Sequence, residues 1–254
     1  MSFLELFKRP CLIGAHRGYN SKHPENTLSA LEASIGHCDF IEVDVQLSRD
    51  GVAVIMHDET LERTTNVREN EAYKTRVPYK LSDFTYAELS SLDYGSWFYL
   101  DKKKFEPLLT LKKVLEFVKE NNIYINIEIK DLNDTFSDVK VVASVIKEIE
   151  ASNTKDLVLL SSFRHQYLPL CKKIEPDIPT AALVEVRHPK PLIEYLKLLE
   201  VDAYHFDDAL VDEATVKKLR DAGFFVNIYT VNDKKRRQEL FDMGVNGVFS
   251  DYLE

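Results

Sequence analysis

Cysteine is scarce in this chain, which has only three among its 254 residues. Cys11, Cys38 and Cys171 are odd in number, lie far apart, and show no spacing of the C-x-x-C kind that thiolate metal sites use. This usage argues against a disulfide framework and against a cysteine-bound metal. We therefore expect reduced thiols and a cytoplasmic protein.

Long apolar runs are also absent, so no stretch of the sequence is predicted to span a membrane. The apolar residues near the start, Phe3, Leu4, Leu6 and Phe7, are too few for the hydrophobic region of a signal peptide. They lead into the first predicted strand without a small-residue cleavage site. We expect no signal peptide and no stable membrane insertion.

Positive charge is in deficit, because 33 Lys and Arg face 42 Asp and Glu and the net charge is −9. Broad nucleic-acid binding needs clustered cations and is not expected, whereas a local cationic site for one phosphate is compatible with this charge. The 44% hydrophobic and 30% charged content suits one large globular domain over residues 1–254. The sequence does not predict a homo-oligomer, although nothing in it forbids one.

Eight apolar or β-branched runs predict strands, and helical patterns separate most of them. The predicted strands lie at residues 11–15, 40–45, 124–129, 157–161, 180–184, 203–206, 224–230 and 246–249. The helical patterns run from Thr27 to Ile35, Leu111 to Lys119, Val139 to Glu148 and Ala214 to Arg220. This alternation predicts an α/β fold with a parallel sheet, and eight strands favour a TIM-type (β/α)8 barrel.

A ninth run, residues 52–56, follows the second strand after only four residues, Ser48-Arg49-Asp50-Gly51. A parallel crossover needs about a dozen residues or more, so this run predicts an antiparallel β-hairpin extension. The hairpin would return His57 to the mouth of the barrel, close to His16.

From about residue 59 to 107 the alternation of strands and helices stops. A long insertion that follows the hairpin is expected to form a small subdomain capping the catalytic face. The alternative is a solvated decoration of the surface.

Three carboxylates point to the barrel interior in this interpretation. Glu42 and Asp44 are two residues apart in one strand, and Glu128 and Lys130 repeat that spacing in another. Buried carboxylates need a counter-ion, and an all-oxygen ligand set favours one divalent cation, Mg²⁺ or Ca²⁺. The alternative is a structural Glu–Lys ion pair within the barrel.

His16 and Arg17 follow the first strand, and His57 follows the hairpin. Arg17 and Lys130 are expected to flank a phosphate, and the two histidines to transfer protons to and from it. Asn26 and Thr27 are expected to start a helix, and Asp58 to orient its loop or His57.

These motifs, taken in order along nearly the whole chain, closely resemble those of the glycerophosphodiester phosphodiesterase family. The residues that carry the resemblance are His16-Arg17-Gly18, Pro24-Glu25-Asn26-Thr27, Glu42-Val43-Asp44, His57-Asp58 with the residues through Asn66, Gly95-Ser96-Trp97-Phe98, Glu128-Ile129-Lys130, Ser162-Phe163, Thr230-Val231-Asn232 and Gly247-Val248-Phe249-Ser250-Asp251.

The resemblance implies a TIM-type barrel that cleaves glycerol-3-phospho-alcohols, such as glycerophosphocholine, to glycerol 3-phosphate and an alcohol. It implies acid–base roles for His16 and His57, and a divalent-metal site at Glu42, Asp44 and Glu128. Tyr229 stands where many members carry Trp, and it preserves an aromatic wall for glycerol. Trp97 and Phe98 are two further candidates for substrate contact, and the alternative makes Trp97 a core anchor of the insertion.

Two other functions are compatible with the sequence. A lysophospholipase D-like diesterase would use the same chemistry, with an acyl channel built by the Tyr-rich insertion. A non-catalytic barrel that binds phosphodiesters or a protein would tolerate the loss of a histidine or carboxylate, yet all five positions are filled. The residues leave open the alcohol, the metal, and whether water or the glycerol 2-hydroxyl attacks.

Overall fold

Eight parallel strands close into a barrel in the computed structural model, which describes residues 2–99 and 103–254. The strands are β1 (Leu12–Ala15), β2 (Phe40–Leu47), β3 (Ala53–Ile55), β4 (Tyr124–Ile129), β5 (Val158–Ser162), β6 (Thr180–Val184), β7 (Ala203–Asp207), β8 (Phe225–Tyr229) and β9 (Gly247–Ser250). The order of the barrel strands is β1-β9-β8-β7-β6-β5-β4-β2, and pairing of β1 with β2 closes the ring. The predicted TIM-type barrel is confirmed.

Helices follow most barrel strands and cover the outside of the sheet, which explains why β2 is buried along its whole length. They are α1 (Phe3–Phe7), α2 (Leu28–Ser34), α3 (Tyr86–Leu89), α4 (Leu111–Asn121), α5 (Asp138–Ser152), α6 (Tyr167–Ile174), α7 (Leu192–Leu198), α8 (Glu213–Asp221) and α9 (Lys234–Asp242). Over the two described ranges, no helix has both the length and the hydrophobicity needed to cross a bilayer.

The N-terminal helix α1 closes the barrel at the amino ends of the strands. Phe3 and Phe7 are fully buried and pack with Phe40 of β2, with ring centroids 5.7 and 6.3 Å from that ring. The apolar residues near the chain start are therefore a plug for the barrel interior. This closure leaves the carboxyl ends of the strands as the open face.

The strand β3 pairs antiparallel with β2, as the short link predicts, with Val45 opposite Ile55 and Leu47 opposite Ala53. The chain from β3 to α4 contains α3 and three short 3-10 helices at Val67–Glu69, Glu71–Tyr73 and Leu81–Asp83. Its apolar side chains, including Leu61, Phe84 and Leu92, pack with Val54 and Met56 of the hairpin in a hydrophobic cluster apart from the barrel.

Candidate active site

A cavity of about 470 Å³ opens at the carboxyl ends of the barrel strands. Most of the residues predicted for the site line it: His16, Arg17, Glu42, His57, Glu128, Lys130 and Tyr229. Asp44 is 1% exposed and lies behind this surface, within the carboxylate cluster. The barrel thus brings together residues that are separated by more than 200 positions in sequence.

Glu42, Asp44 and Glu128 offer oxygen atoms that all lie within 4.8 Å of one another. The pairing of β2 with β4 places Asp44 directly beside Glu128, and the two-residue spacing places Glu42 on the same face. Three carboxylate oxygens at this separation can ligate one divalent cation.

Burial decides the electrostatics of this cluster. Burial, Asp44 and Glu128 raise the pKa of Glu42 well above its usual range, and burial and Asp44 also raise the pKa of Glu128. Burial acts in the same direction on Asp44, but Lys130 and Arg17 lower its pKa to about 2. Ionising all three carboxylates at once is therefore unfavourable, because their negative charges repel one another. A cation bound between them would reduce that repulsion.

Arg17 and Lys130 face the carboxylates in this structure. Lys130 Nζ lies 2.6 Å from Glu128 Oε1 and 3.5 Å from Asp44 Oδ1, and Arg17 Nε lies 3.4 Å from Asp44 Oδ2. Both cations border the cavity, where an anionic ligand would meet them.

The turn after β1 presents a backbone donor to the cluster. The Arg17 N–H donates to Glu42 Oε2 at 2.8 Å, and both Arg17 and Gly18 have positive φ, at 56° and 80°. A Cβ on Gly18 would lie 2.8 Å from the backbone carbon of Ala30, so only glycine fits there. This tight approach explains the glycine of the His16-Arg17-Gly18 motif.

His16 is held by a carboxylate from the other end of the chain. Its Nδ1 lies 2.7 Å from Asp251 Oδ1, and Asn232 donates to the second carboxylate oxygen at 2.7 Å. Burial would raise the pKa of Asp251, but His16 and Asn232 lower it to about 2, so Asp251 stays ionised. His16 Nε2 is then the ring nitrogen left to exchange a proton with a ligand.

Asp251 itself follows β9, which pairs with β1 in the closed barrel. Sequence reasoning did not assign Asp251, although barrel closure and the position after the last strand were signals that could have found it.

His57 is held in the same way, because its Nδ1 lies 2.7 Å from Asp58 Oδ1. Arg63 donates to both oxygens of Asp58, at 2.6 and 2.8 Å, and to both oxygens of Glu25, each at 2.7 Å. Glu25 in turn accepts from Arg17 at 2.9 Å. A continuous network of ion pairs therefore connects the two histidine loops, and Glu25 and Arg63 were not assigned from sequence.

Asn26 and Thr27, at the start of α2, have different roles. Thr27 caps α2 by accepting from Ala30 N at 3.4 Å, as expected. Asn26 instead donates to Asp44 Oδ2 at 2.9 Å and accepts from the Asp44 N–H at 3.3 Å. It therefore orients one carboxylate of the cluster.

Trp97 and Phe98 are not among the described residues that line the active-site cavity. Trp97 Nε1 donates to the Tyr94 carbonyl at 2.9 Å, and its ring borders a separate cavity within the insertion. Phe98 packs edge-on against Trp97, with centroids 5.7 Å apart. Substrate contact by these two rings stays a prediction.

Known proteins resemble this chain over most of its length. The model of the glycerophosphoryl diester phosphodiesterase family matches residues 16–254. The glycerophosphodiester phosphodiesterase of Bacillus altitudinis is 34% identical over 245 residues, covering 94% of each chain. The enzyme of that name from Bacillus subtilis (strain 168) is 32% identical over 253 residues, covering 94% of this chain and 82% of its own.

A solved structure extends the likeness to three dimensions. An Oleispira antarctica phosphodiesterase, solved in complex with the product sn-glycerol-3-phosphate, superposes with a TM-score of 0.86 at 29% identity. The match covers 97% of this chain and 95% of that one. By its matched sequence and its barrel, the chain belongs to the glycerophosphoryl diester phosphodiesterase family.

Proposed function

We propose that this phosphodiesterase hydrolyses glycerophosphodiesters, such as glycerophosphocholine, to glycerol 3-phosphate and an alcohol, and that it needs one divalent cation. The observation that carries the proposal is the convergence of two carboxylate-held histidines, His16 and His57, on one cavity with three clustered carboxylates. Homologues named for this activity support it.

The residues present suit a hard cation. Glu42, Asp44 and Glu128 supply oxygen ligands only, which favours Mg²⁺ or Ca²⁺ over zinc. Such a cation, when bound, would neutralise the cluster and polarise an oxygen of the substrate phosphate. Arg17 and Lys130 would then be released in part from the carboxylates to bind the remaining phosphate oxygens.

The histidines divide the proton transfers of an in-line displacement. His16 Nε2 accepts the proton of the attacking hydroxyl, which belongs to water or to the glycerol 2-position. As the new P–O bond forms, the P–O bond to the alcohol breaks, and His57 donates a proton to the departing oxygen. Attack by water yields glycerol 3-phosphate directly. Attack by the 2-hydroxyl yields a cyclic phosphodiester that water then opens.

We assign residues 1–254 to one catalytic domain, in which residues 59–107 form a subdomain joined to the site through Arg63. Tyr229 lines the cavity and supports an aromatic wall for the substrate. The three free cysteines support action in the cytoplasm, and the net charge of −9 supports a small-molecule substrate and no nucleic-acid partner.

The test is release of glycerol 3-phosphate from glycerophosphocholine by the purified chain with Mg²⁺ or Ca²⁺. His16→Ala and His57→Ala should each abolish most turnover, whereas His37→Ala, at an exposed histidine, should leave it intact. Faster turnover of a lysophospholipid would replace this substrate class with a lysophospholipase D-like one. The proposal would be contradicted if the chain bound the phosphodiester but did not hydrolyse it with either Mg²⁺ or Ca²⁺.

A further inference from the structure

The side of the cavity opposite the carboxylate cluster has a composition that phosphate binding does not explain. Four consecutive strands, β5 to β8, carry Phe163, Glu185, Asp207 and Tyr229 at their carboxyl ends, and all four residues line the cavity. We call them the acidic aromatic wall. In the closed ring of strands β7 stands opposite β2, so Asp207 lies across the cavity from Glu42.

The wall carries negative charge that no cation of the described chain balances. Neither Glu185 nor Asp207 forms an ion pair within residues 2–99 and 103–254, although Asp207 Oδ1 accepts from Ala209 N at 2.8 Å. Burial raises the pKa of the Tyr229 hydroxyl, and Glu185 and Asp207 raise it further. These carboxylates would repel the phosphate of a substrate, whose charge is complementary to Arg17 and Lys130 on the other side.

The aromatic part of the wall is ordered and partly open. Tyr229 donates from its hydroxyl to the Val184 carbonyl at 2.6 Å, which fixes the ring. Phe163 packs edge-on against Tyr229 with centroids 6.0 Å apart, and it is 37% exposed. Exposed ring faces beside carboxylates are the surroundings in which ammonium groups bind.

The cavity also holds a buried polar side chain beside the carboxylate cluster, because Asn126 of β4 pairs with Glu42 of β2. Asn126 is 2% exposed and lines the cavity, and its Nδ2 donates to Ser161 at 3.0 Å. Its Oδ1 has no hydrogen-bond partner among the residues that the structure describes. A hydroxyl of a bound glycerophosphodiester can supply the donor that this buried acceptor needs, whereas a quaternary ammonium has no N–H to donate.

We infer that the acidic aromatic wall binds the alcohol part of phosphodiesters whose alcohol carries a positive charge, a quaternary or primary ammonium. The inference rests on the proposed function and adds a substrate preference to it. With the phosphate between Arg17 and Lys130, the ammonium group reaches the opposite wall, where Glu185 and Asp207 attract it and the rings contact its alkyl groups.

The experiment compares kcat and KM for glycerophosphocholine and for glycerophosphoglycerol, whose alcohol is neutral. Because Glu185 is exposed and screened, we expect Glu185→Gln with Asp207→Asn to raise KM for glycerophosphocholine by only about tenfold. KM for glycerophosphoglycerol should not change. Asparagine at position 207 keeps an acceptor for Ala209 N. Glu120→Gln with Glu150→Gln, which removes two charges from exposed positions on α4 and α5, is the matched control.

An equal rise in KM for both substrates in the double variant would show that the wall binds glycerol. Equal KM values for the two substrates in the wild type would show that the enzyme has no preference for a charged alcohol. Either result overturns this inference and leaves the proposed hydrolysis standing. Absence of hydrolysis of both substrates would overturn both. Should the double variant fail to fold, Phe163→Leu supplies the second test, with the same selective rise in KM expected.

Discussion

Arg63 and Glu25 form a bidentate ion pair, in which two guanidinium nitrogens each lie 2.7 Å from a carboxylate oxygen. Arg63 belongs to the insertion and Glu25 to the loop after β1, so the pair joins two separate parts of the chain above the cavity. Burial would raise the pKa of Glu25, but Arg63 and Arg17 lower it, which keeps the carboxylate charged. The network therefore connects both histidine loops, and it reaches the cavity through Arg17 and His57, whereas Glu25 and Arg63 are not among the described residues that line it.

Replacement of Arg63 by lysine tests this network. A lysine has one ammonium group and cannot bind Asp58 and Glu25 with two hydrogen bonds each, so His57 should lose part of its orientation. We expect Arg63→Lys to lower kcat by about tenfold with a smaller change in KM. Arg68→Lys, at an exposed pair with Glu62 in the same insertion, should have wild-type kinetics. Equal kinetics of the two variants would remove Arg63 from any positioning role.

The metal site is tested by removing and restoring the cation. Chelation should abolish activity, and Mg²⁺ or Ca²⁺ should restore it, because the cluster of Glu42, Asp44 and Glu128 has too little positive charge around it. Glu42→Gln should weaken metal binding, measured by calorimetry, by about tenfold or more. Glu116→Gln on the surface of α4 is the control. Full activity in excess chelator would contradict the metal requirement.

The assignment of the two histidines is tested with a better leaving group. A general acid contributes about 10²–10⁴-fold when the leaving alkoxide is poor. His57→Ala should therefore be severe with glycerophosphocholine and much milder with a nitrophenyl phosphodiester. His16→Ala should be severe with both. If the nitrophenyl substrate instead restored turnover by His16→Ala, His16 would be the general acid and His57 the general base.

Trp97 is expected to stabilise the insertion. Its indole donates to Tyr94 and borders a cavity apart from the active site. Trp97→Ala should lower the free energy of unfolding by about 2 kcal/mol, since the half-buried ring loses its packing. The kcat/KM of the folded variant should match the wild type. A rise in KM at unchanged stability would instead make Trp97 a substrate contact.

His205 should make stability depend on pH. It is 0% exposed inside the barrel, neither ring nitrogen has a hydrogen-bond partner in the described chain, and burial lowers its pKa to about 3. Between pH 3 and 6.5 the unfolded chain binds a proton at this residue and the folded chain does not. The free energy of unfolding should therefore fall by up to about 1.4 kcal/mol for each pH unit lost in this window.

His205→Phe keeps a ring beside Phe249 and removes the titration. The difference in unfolding free energy between variant and wild type, measured by urea titration from pH 7 to 4, should grow as the pH falls. Parallel pH curves for the two proteins would show that His205 is protonated, or not buried, in the folded state.

The sequence alone determined the strands, the hairpin and the inner carboxylates, because these depend on local periodicity. Side chains two residues apart share one face of a strand, so Glu42 with Asp44, and Glu128 with Lys130, could be placed without knowing the fold. The four-residue link before β3 likewise excluded a parallel crossover. The alternation of side chains along a strand and the minimum length of a crossover are local constraints of the backbone. Both can therefore be recognised from a short stretch of sequence.

Tertiary structure decided which distant groups meet. Asp251 reaches His16 across 235 positions because β9 and β1 are neighbours in the closed ring, and Arg63 reaches Glu25 because the insertion folds over the β1 loop. Phe163 and Tyr229 line the cavity, whereas Trp97 borders another. The sequence had left open whether Trp97 contacts substrate or anchors the insertion. Barrel closure and the packing of the insertion, not local pattern, set these distances, because each depends on contacts between segments far apart in the chain.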